Sequence, residues 1–349
     1  MNRRPKKLLA FSAIALAGLA ATACSSAGSS SATPTTAAAA AASSGASPSS
    51  SVNLSSVTLN VGDQKGTGAE AILKAAGLLT TLPFHVNWSD FTSGPPMLEA
   101  MASGSVDVGG VGDAPPVFAA AGGEGVVIVG ARTVPTGDQD AVVVPKGSTI
   151  TSIQQLKGKK IAYGSGSSGN YNLLTVLTAA GLTTKDVTMV NLQPADALAA
   201  FTSGSVDAWD IWPPYVQQVV AQDGARVLAR GSQYGSPYSY EVASKAAVAN
   251  PEKAAAIEVY LATLDKAYVW AEKNPDAWGA AWAAATGLPA SITDVAAAVD
   301  STTPVVVNSA VTTSEQNLVA QFYKAGLVPS APNMSEYVTT QFNASVSGG

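Results

Sequence analysis

Three short polar loops, each followed directly by a stretch typical of a helix, carry the residues best suited to bind a small molecule. They read SG at 93–94, GDA at 112–114 and SGSSGN at 165–170. The first N–H groups of a helix have no acceptor within it and lie at the positive end of its dipole, so they can bind an anion. Ser, Asp and Asn are also the usual helix caps, and capping alone explains any one of these loops. Three loops meeting in one cleft would indicate a ligand site.

Side chains that could perform catalysis or bind a metal are scarce. The chain has one histidine, His85, and one cysteine, Cys24, so zinc sites, His-based nucleophilic triads and internal disulfides are not expected. Isolated carboxylates such as Asp63 and Asp196 do not make a nucleophile and base pair. We therefore expect a binding protein with no cofactor and no metal, and not an enzyme.

The charge of the chain argues against nucleic acid as a partner. The 349 residues are 47% hydrophobic and carry a formal net charge of −5. Beyond the first few residues the only Lys group is the short KGKK at 157–160, which is typical of a solvated turn.

The start of the chain is typical of an exported protein. Residues 1–23 combine a basic stretch, MNRRPKK, with an apolar run and a small-residue exit, as in a secretory signal. The apolar run of about 16 residues is shorter than the roughly 20 of a membrane span. Cys24 follows directly and resembles the acylated cysteine of bacterial lipoproteins, although Ala21 stands where leucine is usual. The alternative is ordinary cleavage nearby with an incidental cysteine. Residues 24–56 are almost entirely Ser, Ala, Thr, Pro and Gly, which predicts a flexible tether.

From residue 57 onward, apolar runs of strand length alternate with helical stretches. The runs are LNVG, HVNW, VDVGGV, GVVIVGA, DAVVVP, KKIAY, VTMVNL, VDAWDI and ARVLA. Alternation of this kind predicts an α/β fold with parallel sheets covered by helices. Prolines at 95–96, 115–116, 194 and 213–214 are expected to begin helices. Proline lacks an N–H group, and nothing is lost at the start of a helix because the first helical N–H has no partner in any case.

The pentapeptide SGSVD occurs twice, at 103–107 and 203–207, each time between a helical stretch and a buried strand. Coincidence in a chain rich in Ser and Gly is the alternative, but the repeat favours two similar halves. Two such halves would bind a ligand between them, at the carboxyl ends of their strands.

Five segments together carry a family resemblance. They are GDQKG (62–66), SGPPMLEAMASGSVDVGGVGDAPPVFAAAGG (93–123), VPKGSTITSIQQLKGKKIA (144–162), PADALAAFTSGSVDAWDIWPPY (194–215) and GARVLARG (224–231). They resemble the solute-binding proteins of ABC importers, in the branch that binds aliphatic sulfonates, taurine and nitrate. The resemblance implies an α/β, periplasmic-binding-protein-like type II fold with two Rossmann-like lobes joined by a two-segment hinge.

The same resemblance implies the division of the chain. Residues 57–140 and 241–345 would form lobe 1 with the C-terminal helices, and residues 141–240 would form lobe 2. The chain would cross between the lobes near residues 140–145 and return near residues 238–244.

The function implied is capture of a small organic anion, above all an aliphatic sulfonate, for delivery to a membrane permease. The protein would be a monomer anchored to the outer face of the cell membrane through Cys24. The candidate ligand-binding residues are Gln64, Lys65, Ser93, Gly94, Asp113, Ala114, Ser167, Ser168, Asn170, Trp212 and Tyr240. Taurine, nitrate and a thiamine-precursor pyrimidine remain alternative ligands, because Pro213 and Asn170 depart from the family pattern. An enzyme on the same fold is an alternative from a different class.

Overall fold

The structure is a computed structural model that describes residues 52–64, 68–134, 139–231 and 235–346. The predicted signal segment, Cys24, nearly all of the tether and the candidate Lys65 lie outside these residues. The described residues form eleven β-strands and eleven α-helices, which alternate along most of the chain. The predicted α/β class is confirmed.

Six strands form the first sheet: β1 (Thr58–Gln64), β2 (His85–Phe91), β3 (Val108–Val111), β4 (Val126–Thr133), β10 (Tyr238–Ser244) and β11 (Thr303–Val305). Their order is β11-β4-β10-β3-β1-β2. Strand β1 pairs in parallel with β2 and β3. Strand β10 runs antiparallel to β3 and β4, between which it lies.

Five strands form the second sheet: β5 (Ala141–Val144), β6 (Lys160–Tyr163), β7 (Thr188–Asn191), β8 (Ala208–Ile211) and β9 (Arg226–Arg230). Their order is β7-β6-β8-β5-β9. Strand β6 pairs in parallel with β7 and β8, and β5 is antiparallel to β8 and β9. Each sheet with its flanking helices forms one lobe.

All nine predicted strands are present, but the prediction that the sheets are parallel was wrong, because both are mixed. The reason is the way the chain crosses between the lobes. Strand β4 runs toward the cleft between the sheets, and β5 enters the second sheet from the cleft side, so β5 must run away from the cleft. Strand β10 enters the first sheet from β9 in the same way and is antiparallel for the same reason.

The helices are α1 (Ala69–Ala75), α2 (Gly94–Ala102), α3 (Ala114–Gly122), α4 (Ser168–Ala179), α5 (Pro194–Thr202), α6 (Tyr215–Gln222), α7 (Lys245–Ala249), α8 (Pro251–Lys273), α9 (Pro275–Thr286), α10 (Ala290–Val299) and α11 (Ser309–Lys324). Prolines open α2, α3 and α5 as predicted. Helix α6 instead begins after the cis-bonded pair Pro213-Pro214. Among the described residues, no helix is both long and apolar enough to cross a membrane.

The SGSVD repeat has the same structural role in both lobes. Oδ2 of Asp107 accepts the N–H of Asn60 at 2.9 Å, which joins the start of β3 to that of β1. Oδ2 of Asp207 accepts the N–H of Lys160 at 2.8 Å and joins β8 to β6 in the same way. The repeat therefore marks two similar units and fixes the strand register in each.

Candidate functional site

A cavity of about 100 Å³ is lined by residues from both lobes. Gln64 is the last residue of β1, Gly112 follows β3, Ser167 and Ser168 follow the loop after β6, and Trp212 follows β8. These parallel strands all point their carboxyl ends at the cavity, which is where open α/β sheets bind ligands.

Five of the predicted ligand-binding residues line this cavity together: Gln64, Gly94, Ser167, Ser168 and Trp212. The Gln64 side-chain amide donates to the carbonyl oxygen of Gly110 at 2.9 Å, and the Ser168 hydroxyl donates to Oδ1 of Asp140 at 3.0 Å. Gly112 of the loop at 112–114 lines it as well, so all three polar loops meet at one cavity as expected.

Two predicted residues are buried beside the cavity and do not line it. The hydroxyl of Ser93 donates to Oε1 of Gln193 at 3.0 Å. Oδ1 of Asn170 accepts the N–H of Gly166 at 3.1 Å within the loop that precedes α4. Both side chains are almost completely buried, so the structure places them as supports of the two loops.

The three other predicted residues in the described part of the chain point away from the main cavity. Successive strand residues face opposite sides of a sheet, so Ser239 and Glu241 of β10 line the cavity and Tyr240 between them faces the core. Asp113 lines a separate, smaller cavity. Ala114 packs in an apolar cluster with α11.

The two lobes touch each other around the cavity. A Cβ added to Gly112 in the first lobe would lie 2.8 Å from Cβ of Ser168 in the second. The hydroxyl groups of Thr92 and Ser93 both donate to Oε1 of Gln193 across the cleft, at 2.7 and 3.0 Å. These contacts are those of a closed cleft.

Replacing Gly112 with alanine should weaken ligand binding. The added methyl group would collide with Ser168 only when the lobes are closed, and an overpacked contact costs about 1 to 3 kcal/mol. We expect roughly a tenfold rise in the dissociation constant, measured by calorimetry. Gly125→Ala is the matched control, because its added methyl group meets nothing within 4 Å. Equal affinity of both variants would contradict the role assigned to the contact.

The cavity lining is acidic. Four carboxylates (Asp63, Asp140, Glu241 and Asp300) and one guanidinium (Arg132) face it in the described part of the chain. Nη1 of Arg132 lies 2.6 Å from Oε1 of Glu241, and the guanidinium stacks 4.3 Å from the centre of the Tyr268 ring.

Burial changes the ionisation of these carboxyl groups. It raises the pKa of Asp140 to about 7 and that of Asp300 to about 6. Asp63 also has a pKa of about 6, because burial raises it by more than the hydrogen bonds from three backbone N–H groups lower it. The side chains of Asp140 and Asp300 are therefore partly protonated near neutral pH.

Sequence reasoning missed Arg132, Asp140, Glu241 and Asp300. A signal existed for two of them, because Arg132 and Glu241 interrupt the otherwise buried strand sequences VVIVGART and YSYEVAS. Charged residues are almost never fully buried unless they are paired, so each interruption indicated a partner. Asp140 and Asp300 lie at the ends of elements, where nothing in the sequence distinguishes them from solvated residues.

Similarity to known proteins identifies the family to which this architecture belongs. Residues 93–278 match the family model described as NMT1/THI5 like. A curated Escherichia coli (strain K12) protein described as aliphatic sulfonates-binding is 36% identical over 280 residues, which are 79% of this chain and 86% of that protein.

Solved structures agree with this match. The alkanesulfonate-binding protein SsuA from Xanthomonas axonopodis pv. citri, solved bound to MOPS, superposes with a TM-score of 0.77 at 31% identity, covering 82% of this chain and 99% of that one. The periplasmic aliphatic sulphonate binding protein SsuA from Escherichia coli gives a TM-score of 0.71 at 35% identity, covering 81% and 92%. These matches confirm the predicted bilobed fold. The chain therefore belongs to the NMT1/THI5-like family and has the periplasmic-binding-protein fold of its sulfonate-binding relatives.

Proposed function

We propose that this protein is an extracytoplasmic binding protein that captures a small molecule with a sulfonate group and delivers it to an ABC permease. One observation carries the proposal: the cavity is lined by loops from both lobes. A ligand in it would contact both lobes, and so would stabilise the closed state by its differential affinity for that state. The names of the sulfonate-binding relatives support the choice of headgroup.

We propose that the sulfonate lies between the N-termini of α2 and α4. Gly94 begins α2 and Ser168 begins α4, and both line the cavity. Pro95 and Pro96 have no N–H, so α2 offers few donors, whereas every residue of the Ser-Gly-Asn start of α4 has an N–H, of which that of Asn170 already donates to Ser167. Helix dipoles contribute only about 0.3 to 1 kcal/mol each, and a micromolar complex needs about 8 kcal/mol. Hydrogen bonds and burial of the rest of the ligand must supply the remainder.

Trp212 is placed to cover the part of the ligand beyond the headgroup, since its half-buried side chain lines the cavity. Each buried CH₂ contributes about 0.8 kcal/mol, so affinity should rise with chain length until the cavity is full. Trp212→Ala should flatten this rise and leave the headgroup preference unchanged. Calorimetry on a series of sulfonates tests this. Trp88→Ala is the control, because Trp88 packs on the core of the first lobe. Binding of nitrate or an uncharged pyrimidine, with no binding of any sulfonate, would contradict the proposed headgroup.

We propose lobe boundaries at 57–140 with 241–345 and at 141–240, except that Tyr238–Tyr240 go with the first lobe, because β10 pairs with β3 and β4.

We also propose acylation of Cys24. A tether of small polar residues has no membrane affinity of its own, so the lipid would be the anchor. Cys24→Ser should therefore move the protein from the membrane fraction to the medium, as seen by immunoblotting. If the variant stays with the membrane, the lipid anchor is wrong.

We also propose that the protein binds its ligand without changing it. Its relatives named above are binding proteins. In the described residues no group of three or more His, Cys, Asp or Glu could hold a metal ion. Mass spectrometry of the ligand after prolonged incubation should recover it intact, and any product would contradict this proposal.

A further inference from the structure

Two helices that begin on opposite sides of the cleft have N-cap residues whose side chains do not cap them. Ser93 is the N-cap residue of α2 and Gln193 is that of α5, and in these two fully described helices neither side chain hydrogen-bonds to its own helix. Serine is among the favoured N-cap residues. The Ser93 hydroxyl instead donates to Oε1 of Gln193 at 3.0 Å, and the Thr92 hydroxyl donates to the same atom at 2.7 Å. These side chains therefore serve the contact between the lobes.

The contact joins equivalent positions of the internal repeat. Ser93 and Gln193 are 100 positions apart, and the two copies of SGSVD, at 103–107 and 203–207, are offset by the same number. Helices α2 and α5 keep this offset, and so do strands β3 and β8. The strand order β4-β10-β3-β1-β2 of the first sheet also corresponds to β9-β5-β8-β6-β7 of the second. Two similar units that touch through equivalent positions are related by an approximate two-fold axis, and this contact lies on that axis.

The contact lies at the end of the cleft farthest from the two crossings. The chain crosses between the lobes from β4 to β5 and from β9 to β10. Thr92 and Ser93 follow β2, which lies three strands from β10 in the first sheet, and Gln193 follows β7, which lies three strands from β5 in the second. Neighbouring strands are about 4.8 Å apart, so each half of the contact lies roughly 14 Å from a crossing strand. Because a rotation about the crossings moves distant atoms most, a small opening of the cleft breaks these hydrogen bonds.

Beside the crossings the lobes are joined by apolar packing instead. Tyr171 of α4 packs on Phe322 of α11, with 5.6 Å between the ring centres, and Tyr171 also lines the smaller cavity with Gln139 and Ser236, which lie at the two crossings. Apolar packing is not directional, whereas a hydrogen bond weakens steeply with distance and angle. The apolar contact can therefore persist through a small rotation, and the hydrogen bonds at the far end distinguish the closed cleft from an open one.

We propose that Thr92, Ser93 and Gln193 form a latch that holds the cleft closed and slows release of the bound ligand, with Gln193 as its positioning residue. This inference rests on the ligand binding proposed above. All three side chains lie outside the lining of the ligand cavity, so the latch acts on the closed state and not through contact with the ligand. Each hydrogen bond that water replaces on opening favours the closed state about twofold to tenfold. Association with the open form does not use the latch, so the dissociation rate alone should change.

Stopped-flow fluorescence with butane-1-sulfonate as the probe tests the latch. Gln193→Ala should release the probe roughly tenfold faster and leave the association rate unchanged. Thr92→Val removes one hydroxyl and keeps the shape of the side chain, so release should be about threefold faster, whereas Thr92→Ser keeps the hydroxyl and should release the probe at the original rate. Gln154→Ala is the matched control and should change neither rate, because this exposed glutamine lies between β5 and β6, at the end of the second sheet away from the cleft.

A double variant and thermal unfolding separate the latch from a merely structural role. Thr92→Val should add nothing to the effect of Gln193→Ala, because the shared acceptor is already absent. Gln193→Ala should not lower the melting temperature without ligand, because the Gln193 side chain does not cap α5. Additive effects, an unchanged dissociation rate in Gln193→Ala, or faster release together with a lower melting temperature would each overturn the latch and leave the proposed function intact.

Failure of the unmodified protein to bind butane-1-sulfonate would overturn the proposed headgroup, and cross-linking then decides on the latch. In a Cys24→Ser background, Thr92→Cys combined with Gln193→Cys should be joined within one molecule by a short thiol cross-linker, as seen by mass spectrometry. Thr92→Cys combined with Gln154→Cys should not be joined, because position 154 lies at the far end of the second sheet. A missing cross-link between positions 92 and 193 would overturn the latch.

Discussion

The ligand-free protein should be more stable at pH 5 than at pH 8, by roughly 3 kcal/mol or more. Burial raises the pKa of Asp140 and Asp265 to about 7 and that of Asp63 and Asp300 to about 6. Between an ordinary carboxyl pKa near 4 and these values, the folded state binds more protons than the unfolded state. Each group then favours folding by about 1.4 kcal/mol per pH unit as pH falls, so stability decreases as pH rises through this window.

Urea denaturation at pH 5, 6, 7 and 8 measures this dependence. Acetate and phosphate buffers are required, because common zwitterionic buffers are themselves sulfonates, the class proposed above as the ligand. The double variant Asp140→Asn, Asp300→Asn should have a shallower dependence on pH. A free energy of unfolding that is constant, or that rises from pH 5 to pH 8, would contradict the burial assigned to these carboxyl groups.

Replacing Arg132 with leucine should destabilise the protein by about 3 to 5 kcal/mol. The change leaves the carboxylate of Glu241, which is 3% exposed, buried without its cation, and breaking a buried pair costs far more than the pair contributes as a whole. Burial alone would lower the pKa of Arg132, but the facing Tyr268 and Glu241 keep it above the usual arginine value, so the guanidinium is charged at any working pH.

Two controls isolate the cause of this loss. The double variant Arg132→Leu, Glu241→Leu removes both charges and should recover most of the stability. Lys157→Leu breaks the exposed pair with Asp186, at 3.4 Å, and should change stability far less, because solvent screens an exposed pair. If Arg132→Leu were no more destabilising than Lys157→Leu, the ion pair would not be a buried one.

The elements of the fold could be predicted from sequence because their signals are local. Apolar runs between turn residues identified nine strands, and prolines identified the starts of α2, α3 and α5. The antiparallel directions of β5 and β10 could not be predicted from such runs. These directions depend on whether the chain enters a sheet at the cleft end of its strands or at the far end. That in turn depends on how the two lobes are arranged.

The site could be predicted from sequence only in part, as the fold could. Loops that precede helices are visible in sequence, and all three of them, with Gln64 and Trp212, do line the cavity. The cavity also receives Asp140 from one crossing between the lobes and Asp300 from the end of α10, which lie 160 positions apart in the chain. Only tertiary structure brings such residues together, so the acidic character of the cavity became visible only in the structure.

The central position of β10 has a consequence for how the chain reaches its native state. Strand β10 lies between β3 and β4, yet it follows the whole second sheet in sequence. While the ribosome synthesises residues 141–230, β3 and β4 therefore have no native neighbour on their facing edges. The second sheet has all its strands by residue 230, whereas the first sheet gains β10 only at residue 244 and its last strand, β11, only at residue 305. We therefore expect late closure of the first sheet to delay folding of the N-terminal half, which would suit the export predicted from residues 1–23, because a secretion channel threads unfolded chains.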